Sequence, residues 1–314
     1  MHIQELLQAH RNEGGKSVPE WMLGAFERTN ITFANGLSDR QTQVFWLQGR
    51  NLTIDLRLPI AIDLVKKPLS DCSQEELLAL ADYEGWCAQS SWDGQQLSWS
   101  GGTSFQLHNR WPEPGWLRRV GDCMIEFAPS GAYVEDWRIR SQASGPLLSL
   151  EIIDEHEQES GLLVSTGGAL IIAGNWAAQV TGRKRAIEGP RSLLEHLQDS
   201  LLKQGDREAN IRDTFDFETS VATGSVDAGY TVRYSTNYER LGDELVNLDG
   251  FEQGESSGEL SQVLVKNGVA IKRRYKVDSL EKEFCFSRET PWTQAASNWY
   301  SQENSTLGRY LENQ

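Results

Sequence analysis

The stretch QTQVFWLQGRNLTIDLRLP, at positions 41–59, decides the fold prediction because a later stretch, GLLVSTGGALIIAGNWAAQV at 161–180, follows the same plan. Both stretches are β-hairpin patterns, and each precedes one short helix and then several strand-and-turn units. A chain that repeats its own plan is typical of two similar sheets or barrels in one molecule. The repeat therefore predicts two structurally similar halves.

Strand signals dominate the chain, and positions 51–58 show them most clearly. Successive side chains of a strand point to opposite faces, so alternating apolar and polar residues predict a strand with one buried face. Here one face holds Leu52, Ile54, Leu56 and Leu58, and the other holds Thr53, Asp55 and Arg57. The clearest hairpin turn, Lys266-Asn267-Gly268, corresponds in the repeat to Pro129-Ser130-Gly131.

Helices are few and short. Capping boxes, from Ser73 to Glu76 and from Ser192 to Glu195, open two predicted helices at 73–82 and 192–203. Both follow a hairpin, which strengthens the prediction of a repeat. The segment 291–312 carries tryptophans and tyrosines, and we expect it to form a docked helix or a tail.

Many short antiparallel strands with few helices predict an all-β fold, and closure into barrels would remove exposed sheet edges. We therefore predict two tandem lipocalin-like (calycin-like) antiparallel β-barrels. Residues 18–144 form the first barrel, residues 145–290 the second, and residues 291–314 a C-terminal tail or docked helix. With 314 residues, each half is long enough to bury its own core.

The chain is strongly acidic. It has 45 acidic and 30 basic side chains and a net charge of −15. Such a field repels phosphate backbones and anionic lipids, so we predict no nucleic-acid or membrane partner, and the sequence indicates no particular protein partner. The N-terminus lacks the pattern of a signal peptide, and no apolar run reaches the roughly 18 residues of a membrane span. We therefore expect a cytoplasmic protein.

No strong catalytic, cofactor or metal motif occurs in the sequence. The four cysteines lie far apart without CxxC spacing, which predicts free thiols rather than a zinc site or a disulfide framework. No two of the five histidines have metal-ligand spacing on one element. Nucleophile elbows, phosphate-binding loops and HExxH helices are also missing. The sequence therefore predicts no cofactor and no metal.

Several short motifs in the first half look familiar. Trp46-Leu47-Gln48 followed by DLRLP at 55–59 resembles a hairpin signature of uncharacterised lipocalin-like double-barrel proteins, among them the fungal Hri-type family. Tyr83-Glu84-Gly85-Trp86, Val120-Gly121-Asp122 and YVEDW at 133–137 are similar to later positions of that family. The resemblance covers about residues 20–140 and implies the double-barrel fold. It implies no activity, because none is established for the family.

Tryptophan is concentrated in the first half. Eight of the eleven tryptophans precede residue 138: Trp21, Trp46, Trp86, Trp92, Trp99, Trp111, Trp116 and Trp137. These rings can fill a barrel core or wall a pocket for an apolar or planar ligand. If one barrel holds a ligand, we therefore expect it to be the first. The segment 110–121 (RWPEPGWLRRVG) is expected to be a fixed lid or a rim loop at its mouth.

Charged residues on predicted strand faces are the other candidates. His108 shares a face with Gln106 and Arg110 on a predicted strand at 103–110, where it could meet a carboxylate or act as an acid or base. The same face could equally be wet surface. Arg57 beside Asp55 could anchor an anionic group or form a structural ion pair.

Glu135 shares a strand face with Trp137, Tyr133 and Ile139. An inward carboxylate beside aromatic rings would be desolvated, which would raise its pKa and suit it to act as a general acid. A simple position at the barrel rim is the alternative.

The leading hypothesis for function is binding of a small apolar or planar ligand in the first barrel. The predicted binding residues are Trp46, Arg57, His108, Arg110, Glu135 and Trp137. An enzyme of the isomerase or lyase type, using His108 or Glu135 for proton transfer, is one alternative. A protein-interaction module whose barrels are packed solid is the other.

Overall fold

A computed structural model of the protein describes residues 1–9, 17–59, 66–188, 192–202, 206–254, 256–266 and 268–311. Antiparallel strands are its predominant secondary structure, and the α-helices are short. The prediction of an all-β fold with few short helices is confirmed.

The first half of the chain forms a closed barrel. Its strands are β1 (Gly24–Phe33), β2 (Ser38–Asp39), β3 (Gln43–Gln48), β4 (Leu52–Leu58), β5 (Glu84–Trp92), β6 (Gln96–Ser104), β7 (Gly115–Val120), β8 (Cys123–Phe127) and β9 (Tyr133–Ile139). β1 pairs with β3, and each later strand pairs with the next, up to β9. β9 then pairs back onto β1, from Phe26 opposite Ile139 to Phe33 opposite Tyr133, which closes an eight-stranded antiparallel barrel. β2 is a short addition to β1.

The second half forms a large sheet with a closely related pairing order. Its strands are β10 (Ser144–Glu157), β11 (Leu163–Thr166), β12 (Gly168–Ala173), β13 (Trp176–Thr181), β14 (Glu218–Ser225), β15 (Gly229–Ser235), β16 (Phe251–Gln253), β17 (Glu259–Lys266) and β18 (Val269–Cys285). Like β1, β10 pairs with the next two strands and with the last one, β18. In the described residues no hydrogen-bonded ladder joins β15 to β16. These two strands are therefore the edges of the second sheet, which is open between them. Independent folding of the two halves stays a prediction.

Short helices decorate both sheets: α1 (Ile3–Ala9), α2 (Gln74–Leu80), α3 (Leu193–Leu202), α4 (Arg207–Thr214), α5 (Gln294–Gln302) and α6 (Asn304–Leu311). The predicted capping box of α2 is present, because Ser73 accepts from the Glu76 amide and the Glu76 carboxylate accepts from the Ser73 amide. Ser192 and Glu195 make the same reciprocal bonds before α3. α5 and α6 form the C-terminal segment.

The N-terminus packs against the second sheet rather than the first. Met1 and Phe251 exchange two backbone hydrogen bonds, and the Ile3 amide donates to the Leu248 carbonyl. The side chains of Ile3 and Leu6 are fully buried. The first residues of the chain therefore cover the strand β16 at the open end of the second sheet.

The two sheets pack side by side through their outer faces. β4 lies against β12, β13 and β14, and it is buried along its whole length. The ring of Phe45 contacts those of Tyr234 and Trp176, with centroids 4.3 and 5.6 Å apart. The backbone at Gly85 comes so close to the second sheet that an added Cβ would lie 2.6 Å from the Cβ of Thr219. The apolar outer face of the β4 region thus forms the contact between the halves, and its polar face points into the barrel.

Two sequence-based boundaries around the mouth of the barrel were wrong. The strand predicted at 103–110 ends at Ser104, and residues 105–109 form an irregular segment. Gln106 anchors that segment, because its side-chain amide donates to the carbonyls of Ala81 and Tyr83 at 2.9 and 2.6 Å. The predicted lid at 110–121 contains the strand β7, so only its first residues belong to a loop.

Candidate functional site

The first barrel contains a cavity of about 430 Å³. Aromatic rings form much of its wall: Trp46, Trp86, Trp99, Trp111, Tyr133 and Trp137. The charged side chains that line it are Asp55, Arg57, Glu84, Arg110, Glu113 and Glu126. The first barrel is therefore not packed solid, and its interior combines flat apolar surfaces with carboxyl groups.

Arg57 is held inside the barrel by carboxylates and an indole ring. Its Nε donates to Asp55 Oδ1 at 2.9 Å, and its Nη1 lies 3.4 Å from Glu135 Oε1. The guanidinium carbon is 4.2 Å from the centroid of the Trp111 ring, in cation–π geometry. Burial works against the charge, but Asp55 and Glu135 outweigh it and raise the pKa of Arg57. The arginine is charged and structurally fixed.

Glu135 joins the cavity to the seam that closes the barrel. Its Oε1 accepts from Arg28 Nη1 at 2.9 Å across the β1–β9 pair, and Arg28 also contacts Asp39 at 2.7 Å. The other oxygen, Oε2, is buried and has no hydrogen-bond partner among the residues that the structure describes. Glu135 is 1% exposed, so this unsatisfied acceptor is unusual for a native interior.

Glu126 lies directly opposite Glu135 in the β8–β9 register, on the same inward face. Its Oε2 accepts from Trp137 Nε1 at 3.1 Å, and within the described residues it forms no ion pair. Burial and the neighbouring Glu135 raise its pKa to about 8. Glu126 therefore carries a proton at neutral pH. Burial likewise raises the pKa of Asp55, to about 6 despite the opposing effect of Arg57.

Side chains at the mouth are tied together by hydrogen bonds. Trp111 Nε1 donates to Glu84 Oε2 at 2.7 Å, which holds the indole over Arg57. Arg110 bonds to Asp82 at 2.9 Å and to Glu84 at 3.3 Å. These contacts hold Arg110 and Trp111, at the mouth of the barrel, against the barrel wall near the end of α2.

The structure brings the six predicted site residues into one region. Trp46, Arg57, His108, Arg110 and Trp137 line the cavity, and Glu135 contacts Arg57 from behind it. The predicted strand face shared by His108, Gln106 and Arg110 was wrong, because the segment is irregular: Gln106 is buried and His108 is exposed. Their roles in binding stay predictions.

Sequence reasoning missed Glu126, and it left open whether most of the cavity tryptophans fill a core or wall a pocket. A signal for Glu126 was present in the sequence. Glu126 is two residues after Met124 in β8, so the two side chains lie on the same, inward face. Trp86 and Trp99 could not be assigned to a cavity wall, because both a filled core and a pocket use the same residue type.

The described ranges also bear on other kinds of site. No group of three or more His, Cys, Asp or Glu side chains there is arranged to hold a metal ion. All four cysteines are free thiols. None of the helices in that part of the chain has both the length and the apolar character to cross a membrane. No protein-family model, curated protein or solved structure matches the chain.

Proposed function

We propose that the protein binds a small planar ligand in the first barrel. The observation that carries this proposal is the cavity of about 430 Å³ walled by five indole rings and one phenol. Ligand sites commonly have volumes of about 300–1,000 Å³ and apolar walls with a few well-placed polar groups. Flat aromatic walls favour a flat ligand, because stacked and edge-on ring contacts then cover both of its faces.

An unpaired donor also supports a bound ligand. Trp99 Nε1 is buried and has no hydrogen-bond acceptor in the described residues, although Trp99 lines the cavity. Buried indole N–H groups usually find an acceptor, so the wall of the cavity is less completely hydrogen-bonded here than a packed core would be. The motifs that resemble lipocalin-like double-barrel proteins agree with this proposal, since such barrels can hold one small ligand. Membership in that family is part of the proposal.

Tryptophol, a neutral indole alcohol, is a suitable probe of this site, and calorimetry is a suitable measurement. Substitution Trp86→Ala removes a wall of the cavity and should weaken tryptophol binding about tenfold or more. The matched control is Trp116→Ala on the outer face of β7, which should change the affinity less than about twofold because the ring does not reach the cavity.

Native mass spectrometry of freshly purified protein provides a second test without a chosen probe. A co-purifying small molecule that is lost in Trp86→Ala and retained in Trp116→Ala would support the proposal. Equal effects of the two substitutions on the binding of a planar probe, or no binding of any planar probe by the unmodified protein, would contradict it.

A further inference from the structure

We propose that the ligand of the first barrel carries a positive charge and that Glu126 is the group that pairs with it. This inference rests on the proposed function, and it specifies the chemical class of the ligand as a planar molecule with a protonated amine or quaternary ammonium group. It follows from the charges in the barrel, from the position of Glu126 and from the nature of the cavity wall.

The arginines in and beside the cavity are already paired. Three arginines occur there, and each has carboxylate partners: Arg28 with Glu135 and Asp39, Arg57 with Asp55 and Glu135, and Arg110 with Asp82 and Glu84. Glu126 lines the same cavity, yet in the described part of the chain its hydrogen-bonding partner is the indole of Trp137. A cation for Glu126 must therefore come from outside this set.

The β8–β9 register places Glu126 opposite a second carboxylate, Glu135, and this position explains why Glu126 requires a cationic partner. Directly opposed residues on one face of an antiparallel pair have Cβ atoms about 4.5–5.5 Å apart, so the carboxyl groups of Glu126 and Glu135 are close neighbours. Both are buried, with Glu126 5% exposed. Two buried carboxylates at this separation cannot both ionise easily without a compensating cation. In the empty barrel a proton fills that role, and a bound cation would replace it.

The wall of the cavity favours an organic cation over a metal ion. A metal ion needs several oxygen, nitrogen or sulfur ligands, and the described residues provide no such group. The faces of tryptophan rings attract cationic groups through the ring quadrupole, most strongly where water is excluded. Trp46, Trp86 and Trp137 offer such rings close to the charged part of the cavity.

Three indole probes of nearly equal size separate charge from shape: tryptamine is cationic, tryptophol is neutral and indole-3-acetate is anionic. By calorimetry, the unmodified protein should bind tryptamine about tenfold or more tightly than tryptophol, and indole-3-acetate most weakly. Substitution Glu126→Gln should abolish the preference for tryptamine over tryptophol, because the amide keeps the shape of the protonated carboxyl but cannot become negatively charged.

The possible failures of this proposal and of the proposed function differ. Tryptophol binding as tightly as tryptamine in the unmodified protein would overturn the cationic ligand while leaving the planar-ligand function in place. A preference for tryptamine that persists in Glu126→Gln would overturn the assignment of Glu126. Absence of binding by all three probes would overturn both proposals.

Proton release provides a test on the unmodified protein alone. Tryptamine binding at about pH 7 should release close to one proton, seen as a dependence of the heat on the buffer, and the release should fall toward zero at about pH 9. Tryptophol should release none. The charged and titratable groups that act on Glu126 are Glu135 and Tyr133 on β9 and Arg57 and Asp55 on β4. Tryptamine binding without proton release at about pH 7 would overturn the role of Glu126.

Discussion

In each half of the chain, a buried ion pair joins the first strand to the last strand. The positions of the acid and the base are exchanged between the two halves. In the first barrel the arginine is on the first strand, where Arg28 meets Glu135 of β9 at 2.9 Å. In the second sheet the glutamate is on the first strand, where Glu155 of β10 meets Arg273 of β18 at 2.6 Å. The pairs differ in how completely the surrounding side chains satisfy their hydrogen-bonding groups.

The network in the second sheet is complete. Glu155 also accepts from Ser165 and Lys266, each at 2.7 Å, and Arg273 also donates to Gln179 at 2.8 Å. Burial would raise the pKa of Glu155, but Arg273 and Lys266 lower it to about 2. Such a network stabilises the sheet, because its buried charges are paired with one another.

The network in the first barrel is incomplete. Glu135 Oε2 has no hydrogen-bond partner, and Glu126 stands beside it without an ion pair in the described residues. The pKa of Glu126 is raised to about 8, opposite in direction to the shift of Glu155. The difference teaches that a buried charge cluster stabilises a sheet when every group is paired, and becomes a candidate site when one group is left over.

The halves also differ at one ladder. In the first barrel, β6 and β7 pair through two residue pairs, Gln96 with Trp116 and Leu97 with Gly115. The second sheet is open at the same place in the strand order, between β15 and β16. There β15 instead meets an isolated bridge at Glu244, and the N-terminus covers β16. The open position thus corresponds to the shortest interstrand ladder along the closed barrel.

The largest expected effect comes from breaking the complete network. Substitution Arg273→Met leaves Glu155 buried with Lys266 as its remaining cation, and should lower the free energy of unfolding by about 4 kcal/mol. The adjacent control Arg274→Met removes a half-exposed pair with Asp154 and should cost less than about 1 kcal/mol. Denaturant titration measures both. Equal losses would show that burial of the network does not matter.

The N-terminal cover of the second sheet gives the next effect. Ile3 is fully buried, so Ile3→Ala should destabilise the protein by about 3 kcal/mol through lost burial and a cavity. Hydrogen exchange should become faster at the backbone amide of Phe251, which pairs with Met1. Leu202→Ala, at an exposed site, is the control and should change stability by less than about 0.5 kcal/mol. Unchanged exchange at Phe251 would contradict the covering role.

Contact between the halves is tested at Gly85. An added Cβ would lie 2.4 Å from Thr219 Oγ1, and both strands are held in their sheets, so Gly85→Ala should cost about 2 kcal/mol. A second substitution, Thr219→Gly, removes the clash and should recover part of this loss. Denaturant midpoints of the single and double variants give the measurement. No recovery in the double variant would show that this contact does not limit the approach of the halves.

Taken per pH unit, the pH dependence of the free energy of unfolding is the smallest expected effect. It distinguishes the carboxyl groups of Glu126 and Glu155. Glu126 has a pKa of about 8 when folded against an ordinary value of 4.5, so its contribution to stability falls as pH rises through this window. The slope is at most about 1.4 kcal/mol per pH unit. Glu126→Gln should therefore gain stability relative to the unmodified protein between these pH values.

Glu155 should behave in the opposite way. Its folded pKa of about 2 lies below the ordinary value of 4.5, so its stabilising contribution is present above pH 4.5 and is lost as pH falls toward 2. The deficit of Glu155→Gln should consequently shrink on acidification. Thermal midpoints across pH test both variants, and parallel profiles for the two would contradict the contrast between the networks.

Part of the candidate site could be predicted before the structure was known. Arg57 and Trp137 were identified because alternation places them on definite strand faces, and those faces do point inward. Glu126 was missed because its importance depends on Glu135 lying opposite, which is set by the β8–β9 register. His108 was misplaced because Gln106 draws its segment toward Ala81 and Tyr83.

The strand alternation, the glycine turns and the capping boxes were all readable from the sequence, because each depends on residues within a few positions of one another. Those features determined the all-β class and the repeated plan. Tertiary structure alone decided which face of β4 is interior. The leucines of β4 pack against the second sheet, and Asp55 and Arg57 line the cavity inside the barrel. Alternation defines two faces but not their environments, since these depend on strands distant in the chain.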